Sequence, residues 1–545
     1  MTRRPARPAF RVPPDVAADR LLLDLLRDAG FILPAVCGGR GTCGACAVRV
    51  EPPSQPTAAD GRFFSKEQIR AGYRLACLAR PDAGMAVFLP HRRERGEARA
   101  AAAAIGPATG EVGLAVDAGT TTVACALVSL RGGRILAEAA VPNGQAAFGA
   151  DVISRIEYAS RGREELARLR DALAGSVRAA ATAALRAVRI PERSLSGGAV
   201  AGNPTMIHLL VGADPVPLGR APFRLAFTGP ARFPAAALGF PGDGDAPVSI
   251  LPLAGVTLGG DVIGGAVALG MDRSRGPRLL LDVGTNAEMV LAAPRPGARG
   301  GEGRRGRPAA WAASAASGGA FEGGSISCGM RAGRGAITGV AWEEGDIRLR
   351  VEGGGPPAGL AGSGLVALVA LLRRFGVLDE SGRMRSREEL FGAAPPGIAG
   401  RVIAGRDGER AFLLARVPGS ERLLTASDVR RFQLAKGAIR AGLEILLAEA
   451  GIDPEDLATV HLAGAFGGGL GEEGAVVTGL LPAAFRGKLD RAGNASLMAA
   501  SEAARTPGFL ARSARFARRL EILNLADHPA FPSRFLAAME FPPRS

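Results

Sequence analysis

Four cysteines have the spacing of a metal centre. Cys37, Cys43, Cys46 and Cys77 follow the pattern C-x5-C-x2-C-x30-C in a chain of 545 residues. Three thiolates on one short loop can surround one side of a metal centre, and a fourth from a distant segment can close it. Glycines lie among the first three cysteines, and they let the backbone curve closely enough to direct N–H groups at the sulfur atoms. These residues indicate a site that binds metal through sulfur.

The spacing favours an iron–sulfur cluster over zinc. Plant-type ferredoxins use C-x4-C-x2-C with a distant fourth cysteine, and the first gap here is one residue longer. A zinc site of four cysteines usually shows paired C-x2-C segments, whereas this region has one such pair. We therefore predict a [2Fe-2S] cluster at Cys37, Cys43, Cys46 and Cys77. Zinc and disulfides are the alternatives.

A second motif occurs twice. The segment 114–120 reads LAVDAGT, and the segment 279–285 reads LLLDVGT. An Asp-x-Gly-Thr turn between strands exposes backbone N–H groups and a hydroxyl to phosphate, and its carboxylate can hold a hydrated Mg²⁺. A single Asp-Gly turn is also common in hairpins, so tight structural turns are the alternative. Two copies after apolar strands predict nucleotide binding, and a third glycine loop at 464–469 follows another strand and is expected near a nucleoside.

These motifs require several domains to position them. Residues 1–92 are predicted to form a small α+β domain, and 93–111, rich in Arg, Ala, Gly and Pro, a helical or flexible linker. Long apolar strands alternate with amphipathic helices beyond it, which predicts an α/β architecture. The two Asp-x-Gly-Thr copies divide this part into halves at 112–278 and 279–545. The Gly/Arg/Pro run at 294–310 is expected to be a mobile surface loop.

Composition excludes several classes of protein. The net charge is +15, but the chain has only three lysines, its arginines are dispersed and aromatic residues make up 5%, so we expect no nucleic-acid partner. Six cysteines in 545 residues are too few for a disulfide-stapled secreted domain. We find neither an uninterrupted apolar run of about 20 residues nor a signal-peptide pattern. A cytoplasmic protein without membrane contact is expected.

The nucleotide motifs resemble those of the acetate kinase, sugar kinase, Hsp70 and actin superfamily. Together with the ferredoxin-like cysteines, they resemble the reductive activators of corrinoid-dependent enzymes. The resemblance covers nearly the whole chain, and the basic insertion 294–310 and Ala465, where glycine is expected, depart from it. The supporting segments are 37–46, Phe148-Gly-Ala-Asp-Val-Ile-Ser-Arg-Ile156, Ala201-Gly-Asn-Pro-Thr-Met-Ile-His208, 280–286, Phe321-Glu-Gly-Gly-Ser-Ile-Ser-Cys-Gly-Met-Arg331, Gly362-Ser-Gly364, Gln433-Leu-Ala-Lys436, 463–467 and Gly493-Asn-Ala-Ser-Leu497.

The resemblance implies a fold and an activity. The fold is an α+β ferredoxin (β-grasp) domain followed by an α/β duplicated actin-like ATPase domain, in which two phosphate loops and an adenosine loop surround ATP in a cleft between the halves. The activity is ATP-dependent reduction of the Co(II) corrinoid of a partner protein or methyltransferase to Co(I), with an electron from a low-potential donor. Asp117 and Asp282 would position Mg²⁺ and water as the catalytic carboxylates. The cofactor-binding residues would be Gly119, Thr120, Thr121, Gly284, Thr285 and Asn286 for phosphates, and Gly464 and Gly467 for adenosine.

Other functions are compatible with parts of the sequence. One is a ferredoxin-fused redox sensor or chaperone-like ATPase that does not reduce cobalt, and another is an electron-transfer subunit without nucleotide. The paired Asp-x-Gly-Thr loops argue against the latter, and segment 321–331 argues against a generic ATPase. Segment 317–331 is expected either to face the corrinoid partner or to be a buried glycine-rich packing loop, and the sequence leaves a homodimer open. We expect structural roles for His208, His461, Cys125 and Cys328.

Overall fold

The structure of the protein is a computed structural model. It describes residues 8–17, 20–29, 31, 33, 39–41, 44, 46–89, 99–102, 111–294, 309–405, 408–418 and 420–544. Cys37, Cys43, most of the predicted linker 93–111 and most of the basic insertion 294–310 lie outside the described residues. The chain divides into two compact units: Met1–Asp261 with Ala499–Ala514, and Val262–Met498 with Arg515–Ser545.

The N-terminal domain, in the first unit, is a small antiparallel sheet with short helices. Its elements are β1 (Phe10–Arg11), α1 (Leu22–Asp28), β2 (Ala47–Glu51), α2 (Lys66–Arg70), β3 (Tyr73–Leu75) and β4 (Ala86–Phe88). The strand order is β1-β4-β2-β3. The alternating sequence AVRVE makes β2 amphipathic, so Val48 and Val50 point inward and share a core with Leu22 and Leu26 of α1. The cysteine loop connects α1 to β2.

The rest of the first unit is built on a seven-stranded sheet in the order β10-β11-β9-β6-β7-β8-β5. Strand β6 is an almost entirely apolar segment and is buried, and the long helix α4 packs Leu169, Leu173 and Val177 into the same core. The elements are β5 (Arg99–Ala102), β6 (Val112–Ala118), β7 (Thr122–Ser129), β8 (Ile135–Pro142), α3 (Val152–Ala159), α4 (Arg163–Val188), β9 (Leu195–Gly202), α5 (Pro204–Val211), β10 (Ala231–Pro234) and β11 (Pro247–Ile250). Helix α6 (Gly260–Ala268) begins in the first unit and continues into the second.

The described part of the predicted linker differs from the expectation. Residues 99–102 form the strand β5, which pairs antiparallel with β8 from Arg99–Ala140 to Ala102–Ala137. The sequence favoured a helix or a flexible chain because of its alanines. Pairing with the edge of β8 satisfies backbone N–H and C=O groups that an alanine-rich segment would otherwise leave to solvent.

The second unit is built on a six-stranded sheet in the order β22-β21-β12-β13-β14-β23, with two smaller three-stranded sheets. Its elements follow α6 along the chain, and α12 and α13 contribute residues to both units. They are β12 (Arg278–Val283), β13 (Ala287–Ala293), β14 (Ala309–Ala315), β15 (Ala336–Glu343), β16 (Asp346–Val351), β17 (Gly359–Leu360), α7 (Gly362–Arg374), α8 (Pro396–Ala399), β18 (Val402–Ala404), β19 (Arg410–Val417), β20 (Ser420–Thr425), α9 (Ala426–Ala450), β21 (Thr459–Ala463), α10 (Gly464–Gly469), α11 (Glu472–Val477), β22 (Leu489–Gly493), α12 (Ala495–Arg505), α13 (Phe509–Ala517), β23 (Leu520–Leu523) and α14 (Phe531–Met539).

The two large sheets repeat one arrangement of five strands. In the first, β8, β7 and β6 are antiparallel neighbours, and β9 and β11 continue parallel to β6. In the second, β14, β13 and β12 are antiparallel neighbours, and β21 and β22 continue parallel to β12. The duplication indicated by the two Asp-x-Gly-Thr motifs is therefore a duplication of fold. Among the described residues, we find no helix with the length and hydropathy needed to cross a bilayer.

Candidate functional site

The structure brings two of the predicted cluster ligands together. Cys46 directly precedes β2, and Cys77 lies two residues beyond β3, the antiparallel neighbour of β2. The pairing continues past the strands, because the N–H of Ala76 donates to the carbonyl of Cys46 at 3.0 Å. Both cysteines are almost fully buried. Sheet pairing thus places the backbone of Cys46 next to the segment that carries Cys77.

The described glycines of the cysteine loop have conformations that other residues rarely adopt. Gly39, Gly41 and Gly44 have φ of +89°, +70° and +71°. A Cβ at Gly41 would lie 2.4 Å from Leu78 Cδ1, and one at Gly44 would lie 2.6 Å from Phe63 Cδ1. At Gly41 and Gly44 the backbone therefore packs against its own domain in a conformation that favours glycine.

This donor set fits a sulfur-ligated cluster. A Cβ at Gly39 would lie 4.0 Å from that of Cys77, so the glycine loop passes close to the distant thiol. Within the described ranges, which lack Cys37 and Cys43, no group of three or more His, Cys, Asp or Glu converges on one point. Arg40, inside the loop, forms an exposed ion pair with Glu157 of α3 at 3.2 Å. The four cysteines together remain the predicted ligand set.

The first Asp-x-Gly-Thr motif forms the turn between β6 and β7. Asp117 is near the end of β6, and Gly119, Thr120 and Thr121 make the turn, all partly exposed. A Cβ at Gly119 would lie 2.4 Å from the carbonyl oxygen of Thr122. The turn is therefore tight enough to require glycine.

Three buried or half-buried side chains fix this first loop. Asn143 donates from Nδ2 to the Gly119 carbonyl at 2.9 Å, and Arg155 donates from Nη2 to the Thr120 carbonyl at 2.6 Å. Asn203 donates from Nδ2 to the Thr120 hydroxyl oxygen at 2.8 Å. Arg155 is fully buried and also bonds the Gly149 carbonyl at 2.9 Å. Segments 148–156 and 201–208, which the sequence marked only by resemblance, thus position the loop.

The second Asp-x-Gly-Thr motif forms the turn between β12 and β13. Asp282 is near the end of β12, and Gly284, Thr285 and Asn286 make the turn. The Gly284 N–H donates to the Asn286 carbonyl at 2.8 Å. A Cβ at Gly284 would meet nothing closer than the Asn286 carbonyl oxygen at 3.8 Å, so this turn has room that the first lacks.

Segment 317–331 packs against this second loop. The Ser317 hydroxyl lies 3.3 Å from both the Gly284 and Thr285 carbonyls, and the Thr285 hydroxyl donates to Glu322 Oε2 at 2.9 Å. Phe321 is buried between two aromatic rings, with centroids 4.7 Å from Phe466 and 5.7 Å from Phe432. This packing matches the buried-loop alternative for that part of the segment.

The third glycine segment, predicted as a loop, forms the short helix α10, whose first residue lies beside Asp282. Strand β21 pairs with β12 so that Ala463 is opposite Asp282, and Gly464 follows with φ of +80°. A Cβ at Gly464 would lie 2.6 Å from Asp282 Oδ1. Gly467 is also crowded, since a Cβ there would lie 3.0 Å from the backbone of Leu462. The second unit therefore brings together Asp282, Thr285 and Gly464, three of its predicted site residues.

The isolated histidines and cysteines have structural surroundings. His208 is fully buried in α5, its Nε2 accepts from the N–H groups of Ala226 and Phe227 at 3.1 Å, and burial lowers its pKa. His461 bonds Asp490 at 2.7 Å. Burial raises the pKa of the Cys125 thiol and that of Cys328 to about 11.

The motif 433–436 contacts the C-terminal segment. Gln433 bonds the Ser381 and Met539 carbonyls, and Lys436 donates to the Ala538 carbonyl at 2.7 Å and to the Glu540 carbonyl. Burial lowers the pKa of Lys436 to about 7.

Sequence reasoning missed the side chains that contact the two Asp-x-Gly-Thr turns. These are Asn143, Arg155, Asn203, Ser317 and Glu322. Strand adjacency could have located Asn203, because it directly follows the parallel neighbour of β6.

Taken together, these features define a class of protein: a ferredoxin-type iron–sulfur domain joined to a duplicated ATPase fold. Family models support each part. The 2Fe-2S iron–sulfur cluster binding domain matches residues 12–82, the RACo middle region matches 112–274, and the C-terminal domain of RACo, the ASKHA domain, matches 277–545.

Individual relatives agree with the family models. The corrinoid activation enzyme RamQ of Eubacterium limosum is 34% identical over 375 residues, covering 68% of this chain and 60% of RamQ. The [Co(II) methylated amine-specific corrinoid protein] reductase of Methanosarcina barkeri is 31% identical over 248 residues, covering 42% of this chain and 38% of the relative. This chain thus aligns with less than two thirds of either relative.

A solved structure extends the similarity to both ends of the described fold. The structure titled reductive activator for corrinoid, iron–sulfur protein is 27% identical, has a TM-score of 0.70, and covers 98% of each chain. The chain belongs to the RACo family, with an N-terminal 2Fe-2S iron–sulfur domain and a C-terminal ASKHA domain.

Proposed function

We propose that this protein uses ATP to reduce the Co(II) corrinoid of a partner protein or methyltransferase to Co(I). The observation that carries the proposal is the similarity to a reductive activator over 98% of the chain, which joins the cysteine loop and both Asp-x-Gly-Thr loops in one polypeptide. The relatives named for corrinoid activation and Co(II) corrinoid reduction support the same activity.

The N-terminal domain would hold the electron carrier. Cys37, Cys43, Cys46 and Cys77 are the proposed ligands, and a bound [2Fe-2S] cluster supplies transfer of one electron at a time. Burial of Cys46 and Cys77 in the domain core limits solvent at two of the four ligands. The glycine loop brings backbone close to Cys77, where N–H groups stabilise thiolate charge.

The ATPase part would supply the driving force. Plant-type clusters have reduction potentials of about −400 mV. Transfer of one electron to an acceptor with a reduction potential ~100 mV lower costs about 2.4 kcal/mol. A nucleotide changes a conformational equilibrium only through different affinities for its states. The proposed nucleotide residues are Asp117, Gly119, Thr120 and Thr121 in the first unit, and Asp282, Gly284, Thr285, Asn286, Gly464 and Gly467 in the second.

The proposal also includes the surroundings of the reaction. A low-potential donor supplies the electron, the corrinoid protein accepts it, and the cytoplasm is the proposed compartment. The dispersed arginines and 5% aromatic content support a function without nucleic acid. The proposed domain division keeps 1–92, 112–278 and 279–545, and strand β5, within the segment 93–111, joins the sheet of the first half.

An anaerobic reduction assay tests the proposal. The full chain, reconstituted with iron and sulfide, is mixed with a Co(II) corrinoid protein and a low-potential reductant, with or without Mg-ATP. We expect the Co(I) absorption to appear only with Mg-ATP. Equal rates of Co(I) formation without ATP would contradict the proposal.

Two cysteine variants separate the cluster from the ATPase. We expect Cys77→Ser to lose Co(I) formation while it still hydrolyses ATP, because the cysteine lies in the N-terminal domain. Cys125→Ala is the matched control, since Cys125 is buried in the core of the first large sheet, and it should retain both activities. Co(I) formation by a Cys77→Ser protein without iron would argue against the electron path.

A further inference from the structure

The hydroxyl groups of Thr120 and Thr285 have opposite hydrogen-bonding roles. A threonine hydroxyl has one hydrogen to donate and two lone pairs to accept with. A neighbour that donates to the oxygen leaves the hydrogen for a ligand, whereas a neighbour that takes the hydrogen leaves only lone pairs. The group that each duplicated loop offers to a nucleotide therefore follows from its protein partner.

Thr120 is left with a hydrogen to donate. Asn203 donates from Nδ2 to the Thr120 hydroxyl oxygen at 2.8 Å. The orientation of this amide is fixed, because Asn203 Oδ1 accepts from the Met206 N–H at 2.9 Å at the start of α5. Arg155 already occupies the Thr120 carbonyl. The first loop thus presents a hydroxyl donor, which suits a phosphate oxygen because phosphate oxygens accept.

The Thr285 hydroxyl offers a ligand only its lone pairs. The hydroxyl contacts Glu322 Oε2 at 2.9 Å, and since an ionised carboxylate can only accept, the threonine must donate. The other oxygen, Oε1, would lie 3.9 Å from a Cβ at Gly284, so the carboxylate extends along the loop. Asp282 lies near the end of β12, as Asp117 does near the end of β6, so Glu322 is the carboxylate that distinguishes the second loop. Lone pairs with nearby carboxylates repel phosphate and suit a hydrated divalent cation.

We propose that the two loops suit opposite charges: the Thr120 loop binds a phosphate group, and the Thr285–Glu322 pair orients lone pairs toward a divalent cation. Glu322 is then a positioning residue that acts through Thr285. This inference rests on nucleotide binding, part of the proposed function. It reassigns Thr285, which the sequence analysis placed with the phosphate-binding residues.

Nucleotide affinity with and without a cation tests the inference. The full chain is titrated calorimetrically with a non-hydrolysable ATP analogue, in EDTA and in excess Mg²⁺. We expect Thr120→Val to weaken binding about tenfold in both conditions, because a hydrogen bond to a charged group is lost. We expect Thr285→Val to weaken binding about tenfold in Mg²⁺ and less than about twofold in EDTA. Equal weakening of Thr285→Val in both conditions would overturn the inference.

A third variant predicts a change of opposite sign. Glu322→Gln removes a negative charge, so we expect it to strengthen nucleotide binding in EDTA and to reduce the gain from Mg²⁺. Thr120→Ser and Thr285→Ser keep the hydroxyls and should restore wild-type affinity in their respective conditions. If circular dichroism shows that Thr285→Val does not fold, the test depends on Glu322→Gln. Weaker nucleotide binding by Glu322→Gln than by the wild type in EDTA would refute the inference. Absence of any binding by the wild type would instead refute the proposed function.

Discussion

The two Asp-x-Gly-Thr loops have the same backbone setting and different neighbours. Each connects the first two antiparallel strands of a duplicated sheet. The first is held by nitrogen donors, from Asn143, Arg155 and Asn203, whereas the second is contacted by oxygen groups of Ser317 and Glu322. Duplication thus preserved the turn, and the side chains packed against it determine which part of a ligand it suits.

Removing the donor from the first loop should have the largest effect. Arg155→Met leaves the carbonyls of Gly149 and Thr120 without their guanidinium partner. We expect the local opening free energy of the β6–β7 turn to fall by about 3 kcal/mol. Hydrogen exchange with mass spectrometry measures it, and peptides that contain residues 119–122 should exchange about 100-fold faster.

Ser317→Ala is the counterpart in the second loop. Its two contacts, both at 3.3 Å, are long and neutral, so we expect the opening free energy of the β12–β13 turn to fall by only about 1 kcal/mol. If Arg155→Met and Ser317→Ala increase the exchange rate of their own turns by the same factor over the wild type, the two turns are held equally strongly. That result would contradict the comparison of the two loops.

The glycines of the loops should respond differently to a methyl group. Gly119→Ala would place Cβ 2.4 Å from the Thr122 carbonyl oxygen, whereas Gly284→Ala meets nothing within 3.4 Å. We expect Gly119→Ala to lower stability by about 2 kcal/mol and Gly284→Ala by less than about 0.5 kcal/mol.

Fluorescence separates the two variants. The chain has two tryptophans, Trp311 and Trp342, and both lie in the second unit. Urea unfolding followed by tryptophan fluorescence therefore measures the stability change caused by Gly284→Ala. Hydrogen exchange measures the stability change caused by Gly119→Ala. A large loss of stability in Gly284→Ala would mean that its turn is as tight as the first.

A smaller effect concerns pH and the second unit alone. Burial lowers the pKa of Lys436 to about 7, whereas an exposed lysine has a pKa of about 10.4. Between these values the unfolded chain holds a proton that the folded chain lacks, so this group makes the free energy of unfolding rise with pH from about 7 to about 10. Lys436→Met should lack that rise in tryptophan-reported urea unfolding, and a wild type with the same pH slope as Lys436→Met would contradict it.

Local patterns in the sequence were sufficient for the turns but not for their partners. The apolar run 114–116 followed by Asp117 and Gly119 specifies a strand and a tight turn within a few residues. The contacts of Thr120 with Asn203 and of Thr285 with Glu322 join residues 83 and 37 positions apart. Such contacts depend on which strands and segments become neighbours, which hydrophobic periodicity does not encode.

The N-terminal domain shows the same division. The spacing of the cysteines and the alternation of β2 are local, and the structure places Cys46 beside Cys77 through the β2–β3 pairing. Strand β5 was mispredicted because its alanines carry little information about pairing, and an open sheet edge decided its conformation.

Manganese bound with nucleotide tests the opposite roles of the loops most directly. Mn²⁺ replaces Mg²⁺ at oxygen sites and is detected by electron paramagnetic resonance. With each protein saturated by a non-hydrolysable ATP analogue, we expect Thr120→Val to bind Mn²⁺ with the wild-type affinity and Thr285→Val to bind it about tenfold more weakly. Wild-type Mn²⁺ affinity in Thr285→Val, or the loss of Mn²⁺ in Thr120→Val, would contradict the account.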